Sequence, residues 1–298
     1  MATATEAVGQ RRPPVVEERL SSKILRVLGK APVNIALIVI GVLWLVPTVG
    51  LLITSLLSPL DFQVKGWWQV FSAPHKLTWS NYNAIFHNHT IMHSLVTTAE
   101  ITIGATVLPI VVGAMAAYAF AWLDFPGRDT LFIVVIALLV VPLQMALIPM
   151  FSLYNTLGLY DTVYGLILFH TAFALPFAIF LLRNFFIGIP RDLMEAARID
   201  GASEMYIFTR IILPLGLPAI ASLAIFQFLW TWNDLLVALT LATSTQPITV
   251  AIFSQLRTFG SNIDIIAPAT FISLVIPLCV FFAFQRYFVQ GLLAGSVK

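Results

Sequence analysis

The sequence predicts an all-α membrane protein with six transmembrane helices and both termini in the cytoplasm, and three observations carry that expectation. Only 10% of the 298 residues are charged, against about 25% in soluble domains. Mean hydropathy is +0.92. Apolar runs at 33–57, 94–122, 130–154, 162–186, 215–240 and 267–288 each reach the roughly 20 helical residues that cross a hydrocarbon core of about 30 Å. The ten-residue alternation of a membrane β-barrel is missing, and in lipid a helix satisfies its own backbone groups.

The elements follow in order. Residues 1–30 are polar and basic, the composition of a cytoplasmic tail, with room for a short surface helix at 17–28. The run 33–57 follows this basic segment as a signal-peptide core would. It is too long for one and has no clean cleavage site after it, so it reads as a retained span. An external loop at 58–93 holds Trp67, Trp68, Trp79 and Tyr82 together with His75, His87, His89 and His93. The aromatics fit either headgroup-level anchors or a contact surface for an extracytoplasmic partner. The histidines lack a neighbouring carboxylate or cysteine, so no metal site is expected. Residues 124–129 form a tight turn around Pro126-Gly127, 155–161 a short external turn, and 241–266 an external loop. Cys279 is the single cysteine and reads as a packed apolar thiol. Residues 31–298 therefore make one membrane domain.

Charge orients the chain. Of the 16 Lys and Arg residues, an inside N-terminus leaves only Lys65, Lys76 and Arg257 on the outer side, a strong bias under the positive-inside rule. The net charge of +2 reflects this bias and gives no reason to invoke nucleic acid.

The same count places the loop 187–214 in the cytoplasm, and this loop is the main polar island in the second half of the chain. Pro190 can open a helix, and Asp192 and Glu195 complement its dipole. Glu195-Ala196-Ala197 continues with strong helix formers, and the alanines leave a smooth patch for close approach. Gly201 permits a bend, and Pro214 and Pro218 frame the next span. The pattern alone fits a docking surface and an ordinary interface helix equally well.

The spacing of the island resembles the cytoplasmic loop of the inner-membrane permease subunits of binding-protein-dependent ABC importers. That family reads Glu-Ala-Ala, three residues, Gly, nine residues, Ile-x-Leu-Pro. Here Glu195-Ala196-Ala197, Gly201, and Ile211-x-Leu213-Pro214 match every spacer. The resemblance runs from about residue 33 to the C-terminus. Ala116-Ala117-Tyr118-Ala119-Phe120-Ala121, Phe125-Pro126-Gly127-Arg128, Leu157-Gly158-Leu159-Tyr160-Asp161-Thr162 and Trp232-Asn233-Asp234 are similar to the carbohydrate-importer branch. The ending Gly291-Leu292-Leu293-Ala294-Gly295-Ser296-Val297-Lys298 resembles the second permease of maltose- and α-glucoside-type pairs.

The resemblance implies a type I ABC importer permease fold in a bacterial inner membrane. It implies that Glu195, Ala196, Ala197, Asp200 and Gly201 form a coupling helix and turn that dock in a cleft of a cytoplasmic ATPase dimer. ATP and Mg would be held by that partner and not by this chain, which contains no G-x-x-x-x-G-K-[ST] phosphate loop and is not itself expected to be an enzyme. A second permease subunit, forming a heterodimer, and an extracytoplasmic substrate-binding protein complete the expected assembly.

Polar residues inside apolar runs mark a pathway or an interhelical bond. Gln227, Trp230 and Asp234 fall at i, i+3 and i+7, roughly one helical face. With Asn233 they offer the aromatic and amide groups that read a sugar, or a packing face for the partner permease. Gln144 follows Pro142, where a loosened backbone could expose it to a cavity. Glu100 and His170 are the other interior polar groups. The spans hold almost no cations, which favours a neutral oligosaccharide or α-glucoside over glycerol phosphate, with polyols a further possibility. A self-contained proton- or ion-coupled transporter would call for repeats and midplane charges, for which Glu100 is the only acidic candidate. A scaffold without transport leaves the spaced island unexplained.

Overall fold

A computed structural model describes the backbone of residues 20–259 and 262–294 and the side chains of 32–62, 65–256 and 262–286. All regular structure among the described residues is helical. Two units, residues 1–50 and 51–298, are compact by themselves. The first holds most of α1 (Leu20–Ser55), which runs without a break through residues 20–28, where a separate surface helix was expected at 17–28; residues 1–19 lie outside the described residues. Its stretch Pro32–Ser55 has a mean hydropathy of 2.6, and Val33, Leu37, Leu43 and Trp44 are exposed.

In the second unit the expected outer loop is folded. α2 (Pro59–Lys65), two short 3₁₀ turns (Trp67–Phe71 and Pro74–Lys76) and α3 (Ser80–Phe86) fill it. The Asn81 amide donates to Ser55 O (3.0 Å) and Leu57 O (2.8 Å), and Ser55 Oγ meets the Tyr82 hydroxyl at 2.7 Å. Asn88 caps α4 (His89–Trp122), its side chain accepting from the Ile91 N–H at 3.2 Å. The helix therefore starts five residues earlier than hydropathy places the span.

The third apolar run is a bent pair. α5 (Arg128–Ala137) tightens into a 3₁₀ turn (Leu138–Val140), and α6 (Leu143–Leu157) leaves at 97°. Pro142 causes the break: a proline disfavours helical backbone in the preceding residue, and Val141 is extended, with ψ 114°. α7 (Val163–Ile187) matches the predicted fourth span within a residue, with Thr162 capping it by accepting from Gly165 N at 3.0 Å.

After α8 (Arg191–Ile199) come α9 (Glu204–Ile207), a π-helical turn (Phe208–Ile212) and α10 (Leu213–Leu215). The chain then bends by 72° into α11 (Leu217–Trp232). The fifth apolar run thus stops at Trp232, and α12 (Leu236–Leu241) is a separate short helix. α13 (Ile248–Phe259) replaces the expected outer loop: Pro247 leads into it, and Ile248, Val250 and Ala251 are buried. α14 (Ile263–Ala294) completes the chain. Among the described residues, four helices are long and apolar enough to cross a membrane, or up to six spans if each bent pair counts as one.

α4 and α7 pack along each other as the central pair, and α11 lies against both α4 and α14. Small residues let α4 and α7 approach closely. A Cβ on Gly113 would stand 2.9 Å from the Ala178 Cβ, so only glycine fits there. Two apolar clusters hold the pair at its ends. One, at the Ile187 end of α7, joins Ala117, Leu182, Phe186, Met194, Ile207 and Leu223. The other, toward Asp161, joins Ile101, Leu166, Phe169, Val237 and Leu241.

Candidate docking surface

The loop between α7 and α11 builds its shape from local rules. Pro190 precedes α8 as its N-cap residue, where a helix has no use for the missing N–H. At the other end the Ala202 N–H donates to Ala197 O (2.9 Å) and the Gly201 N–H to Arg198 O (3.0 Å), the bond pair of a Schellman ending. Gly201 carries φ +80°, and nothing stands within 4 Å of where a Cβ would project. Backbone conformation, not crowding, therefore selects glycine here. Ser203 then caps α9, accepting from the Tyr206 N–H at 3.3 Å.

α8 presents two unlike faces. Met194 is 1% exposed and inserts into the apolar cluster beside Tyr118, Leu182 and Phe186; Ala197 packs partly against the same cluster. A half-turn away, Asp192, Glu195, Ala196 and Ile199 all point outward, and Ile199 is 86% exposed. Leu193 flanks this face. Of the residues that sequence singled out, Glu195, Ala196, Asp200 and Gly201 are exposed, while Ala197 turns inward. Leu193 and Ile199 were missed. Their signal was present: two bulky apolar residues in a nine-residue helix otherwise built from charged and small ones, apart from the Met194 anchor.

A polar cluster ties this surface to the bundle. Arg198 grips Glu204 with two bonds, Nε to Oε1 at 2.9 Å and Nη2 to Oε2 at 3.3 Å. The Tyr118 hydroxyl of α4 donates to the same Glu204 Oε2, and Arg198 Nη2 reaches Trp122 O at 3.5 Å. The hydrogen bond to Glu204 raises the Arg198 guanidinium above its usual range despite partial burial.

The polar residues expected along a path are separated by the structure. Gln227 is buried and donates to Thr231 Oγ1 at 3.2 Å. Trp230, expected on the same face, is 65% exposed, and Asp234 lies beyond the end of α11, so the three do not share a helical face. Asn233 caps α11 from an exposed position, its amide donating to Leu229 O at 2.7 Å. Gln144 is exposed on α6, and Glu100 is exposed on α4. Asp234 accepts from Val237 N (3.3 Å) and Ala238 N (3.2 Å), the start of α12, and His170 Nε2 approaches it to 3.7 Å. Thr98, Thr102, Thr231 and this pair line a void of about 10 Å³, the lower limit for one water.

Beyond that pair, Asp161 holds the turn before α7 to the segment after α12. It accepts from the N–H groups of Thr243, Ser244 and Thr245, each at 2.8 Å, and from Ser244 Oγ at 2.5 Å. Partial burial raises its pKa, but the Ser244 hydroxyl and the backbone N–H groups of Thr245, Thr243 and Ser244 outweigh that and hold it down at about 2.

Residues 109–293 match the family model described as "Binding-protein-dependent transport system inner membrane component". The osmoprotective compounds uptake permease protein GgtD of Synechocystis sp. is 47% identical, over 90% of this chain and 92% of that one. The α-glucoside transport system permease protein AglG of Rhizobium meliloti is 49% identical, over 76% and 62%. The trehalose transport system permease protein SugB of Mycobacterium tuberculosis is 39% identical, over 76% and 84%. Among solved structures, a bacterial ABC transporter involved in import of the acidic polysaccharide alginate matches with TM-score 0.75 at 21% identity, over 91% of this chain and 99% of that one. A chain of the MetNI methionine ABC transporter in an inward-facing conformation matches with TM-score 0.55 at 20% identity, over 68% and 99%. The chain belongs to the binding-protein-dependent transport system inner membrane component family. It has the ABC importer permease fold and is a multi-pass inner-membrane protein.

Proposed function

We propose that this chain is one permease subunit of an ABC importer for neutral oligosaccharides or α-glucosides, and that the outward face of α8 docks on a separate cytoplasmic ATPase. The observation that carries the docking is Ile199, 86% exposed beside Glu195 and Ala196 on a helix whose only buried residue is Met194. Leaving a large apolar side chain in water costs about 1.5–3 kcal/mol relative to burying it. A face that combines it with carboxylates and a small residue fits a groove with apolar walls and a basic rim. With α8 in the cytoplasm, a membrane-spanning α7 would put Asp161 on the outer side, and six spans would put both termini in the cytoplasm.

The substrate class rests on the relatives, whose names point to α-glucosides, trehalose and osmoprotective compounds, and on the scarcity of cations inside the apolar runs of the sequence. The partners are a second permease, the ATPase pair that holds ATP and Mg, and a substrate-binding protein. Uptake of labelled α-glucoside and of small neutral polyols is measured in proteoliposomes holding the complete assembly. ATP-dependent uptake that requires all partners is expected, with α-glucoside preferred. Sustained uptake by this chain alone, driven by a proton gradient, contradicts the reading.

A further inference from the structure

The docking face and the central helix pair are joined by a turn that should absorb motion. Gly201, at φ +80° with open space around it, is the most easily rotated point between α8 and the rest of the loop. The backbone bonds of the Schellman ending reach only as far as Ala202, so a push on α8 keeps its direction into α9 and α4 only if side chains bridge the rest of the turn. Arg198 and Glu204 lie three residues before and after Gly201, and their bidentate pair spans it. A planar fork of this kind fixes orientation as well as distance. The second Glu204 oxygen also accepts from Tyr118 Oη, and Arg198 touches the Trp122 carbonyl where α4 ends. Tyr118 is 5% exposed, and its ring packs on Phe208 at 5.3 Å between centroids, so it cannot yield without moving α4 and the π-helical turn.

We propose that Arg198, Glu204 and Tyr118 are positioning residues forming a clasp that makes α8 and α4 move as one body, carrying displacement of the docking face into the central α4–α7 pair. This deepens the docking reading and rests on it. Met194 supplies an apolar attachment on the same side of α8. An apolar contact is non-directional and resists separation better than it resists sliding. The clasp supplies direction. The pair is exposed enough that its role is mechanical registration more than stability: the side chains of Arg198 and Glu204 are 40% and 45% exposed, where ion pairs contribute little to folding.

The test compares Glu204→Gln, Tyr118→Phe and the exchange Arg198→Glu with Glu204→Arg, in the complete transporter in proteoliposomes. Solute transported per ATP hydrolysed is read beside co-purification of the ATPase. Tyr118→Phe removes a single hydroxyl and keeps the ring, which guards against a variant that fails to fold. Glu204→Gln is expected to keep the ATPase bound and lower the transport-to-hydrolysis ratio by roughly 5-fold or more, the scale of a coupling between sites. Tyr118→Phe should shift it in the same direction by less, and the exchange should recover part of what Glu204→Gln loses. An unchanged ratio in both single variants overturns the clasp, and so does loss of the ATPase from them, which would make the cluster a support for loop shape only. Glu195→Lys separates the two readings. If it leaves ATPase binding and transport intact, docking through α8 is wrong; if it breaks them while the clasp variants transport normally, only the clasp is wrong.

Discussion

At the Asp161 end of α7 one carboxylate collects three backbone N–H groups and a hydroxyl from the segment after α12, and nearby Asp234 turns inward to cap α12 beside His170. At the Ile187 end the acidic residues Asp192 and Glu195 face outward, accompanied by an exposed isoleucine. Both ends carry carboxylates near turns, yet the first uses them to hold its own loops, while the second uses Glu204 in that way and leaves Asp192 and Glu195 facing outward. The difference separates a surface that completes itself from one that a partner completes.

Substitutions at the open end should act on assembly. Ile199→Asp is expected to weaken association with the ATPase by about 30-fold, the loss of about 2 kcal/mol that a central interface residue carries, with the thermal midpoint of the isolated subunit unchanged. Pull-down titration and a melting curve check the two halves. At the closed end the pattern reverses. Asp161→Asn keeps a residue that tolerates φ +58° but removes the charge. It should cost on the order of 2 kcal/mol of stability and leave ATPase affinity intact.

The same residue gives a pH signature. Asp161 is held below its unfolded value of 3.8, at about 2. Its stabilisation is therefore complete above pH 3.8 and is lost as pH falls through the folded value. The melting temperature of the unaltered chain should fall more steeply between pH 4 and 2 than that of Asp161→Asn; parallel curves would remove the carboxylate from the account.

Gly201 sharpens the comparison at a smaller scale. Because space is open there, Gly201→Asn should be tolerated, while Gly201→Val, forced into left-handed backbone, should lose about 1–2 kcal/mol and transport with it. Equal behaviour of the two would mean that docking, and not backbone conformation, excludes side chains. The smallest effect is expected at Thr102, whose buried hydroxyl has no hydrogen-bond partner among the described residues. Thr102→Val should change stability by less than about 1 kcal/mol, since it removes an unpaired polar group without creating another.

Much of this was legible in sequence. Hydropathy located α7 almost to the residue because the Thr162 cap coincides with the start of the apolar run, and the spaced island located α8 and its turn. Pro142 marked a loosened backbone and Pro214 and Pro218 framed the fifth run, but the sharp bends at Val141–Pro142 and at Gly216 were not legible. Apolar content is continuous across both, and hydropathy sums residues without registering direction. α13 was hidden for a related reason: twelve residues are too few for a span, so only Pro247 and the buried Ile248, Val250 and Ala251 reveal it. The shared face of Gln227, Trp230 and Asp234 failed because α11 ends at Trp232 and the helical register ends with it. Glu204 and Tyr118 are 86 residues apart, and no local pattern joins them.

Site-directed cross-linking tests the contrast between the two ends most directly. In a Cys279→Ser background, Ile199→Cys and Thr245→Cys are each treated with a short thiol-to-amine cross-linker in the assembled transporter. The account predicts a permease–ATPase product from Ile199→Cys and none from Thr245→Cys. A product from Thr245→Cys, with Ile199→Cys unreactive toward the ATPase, would contradict it.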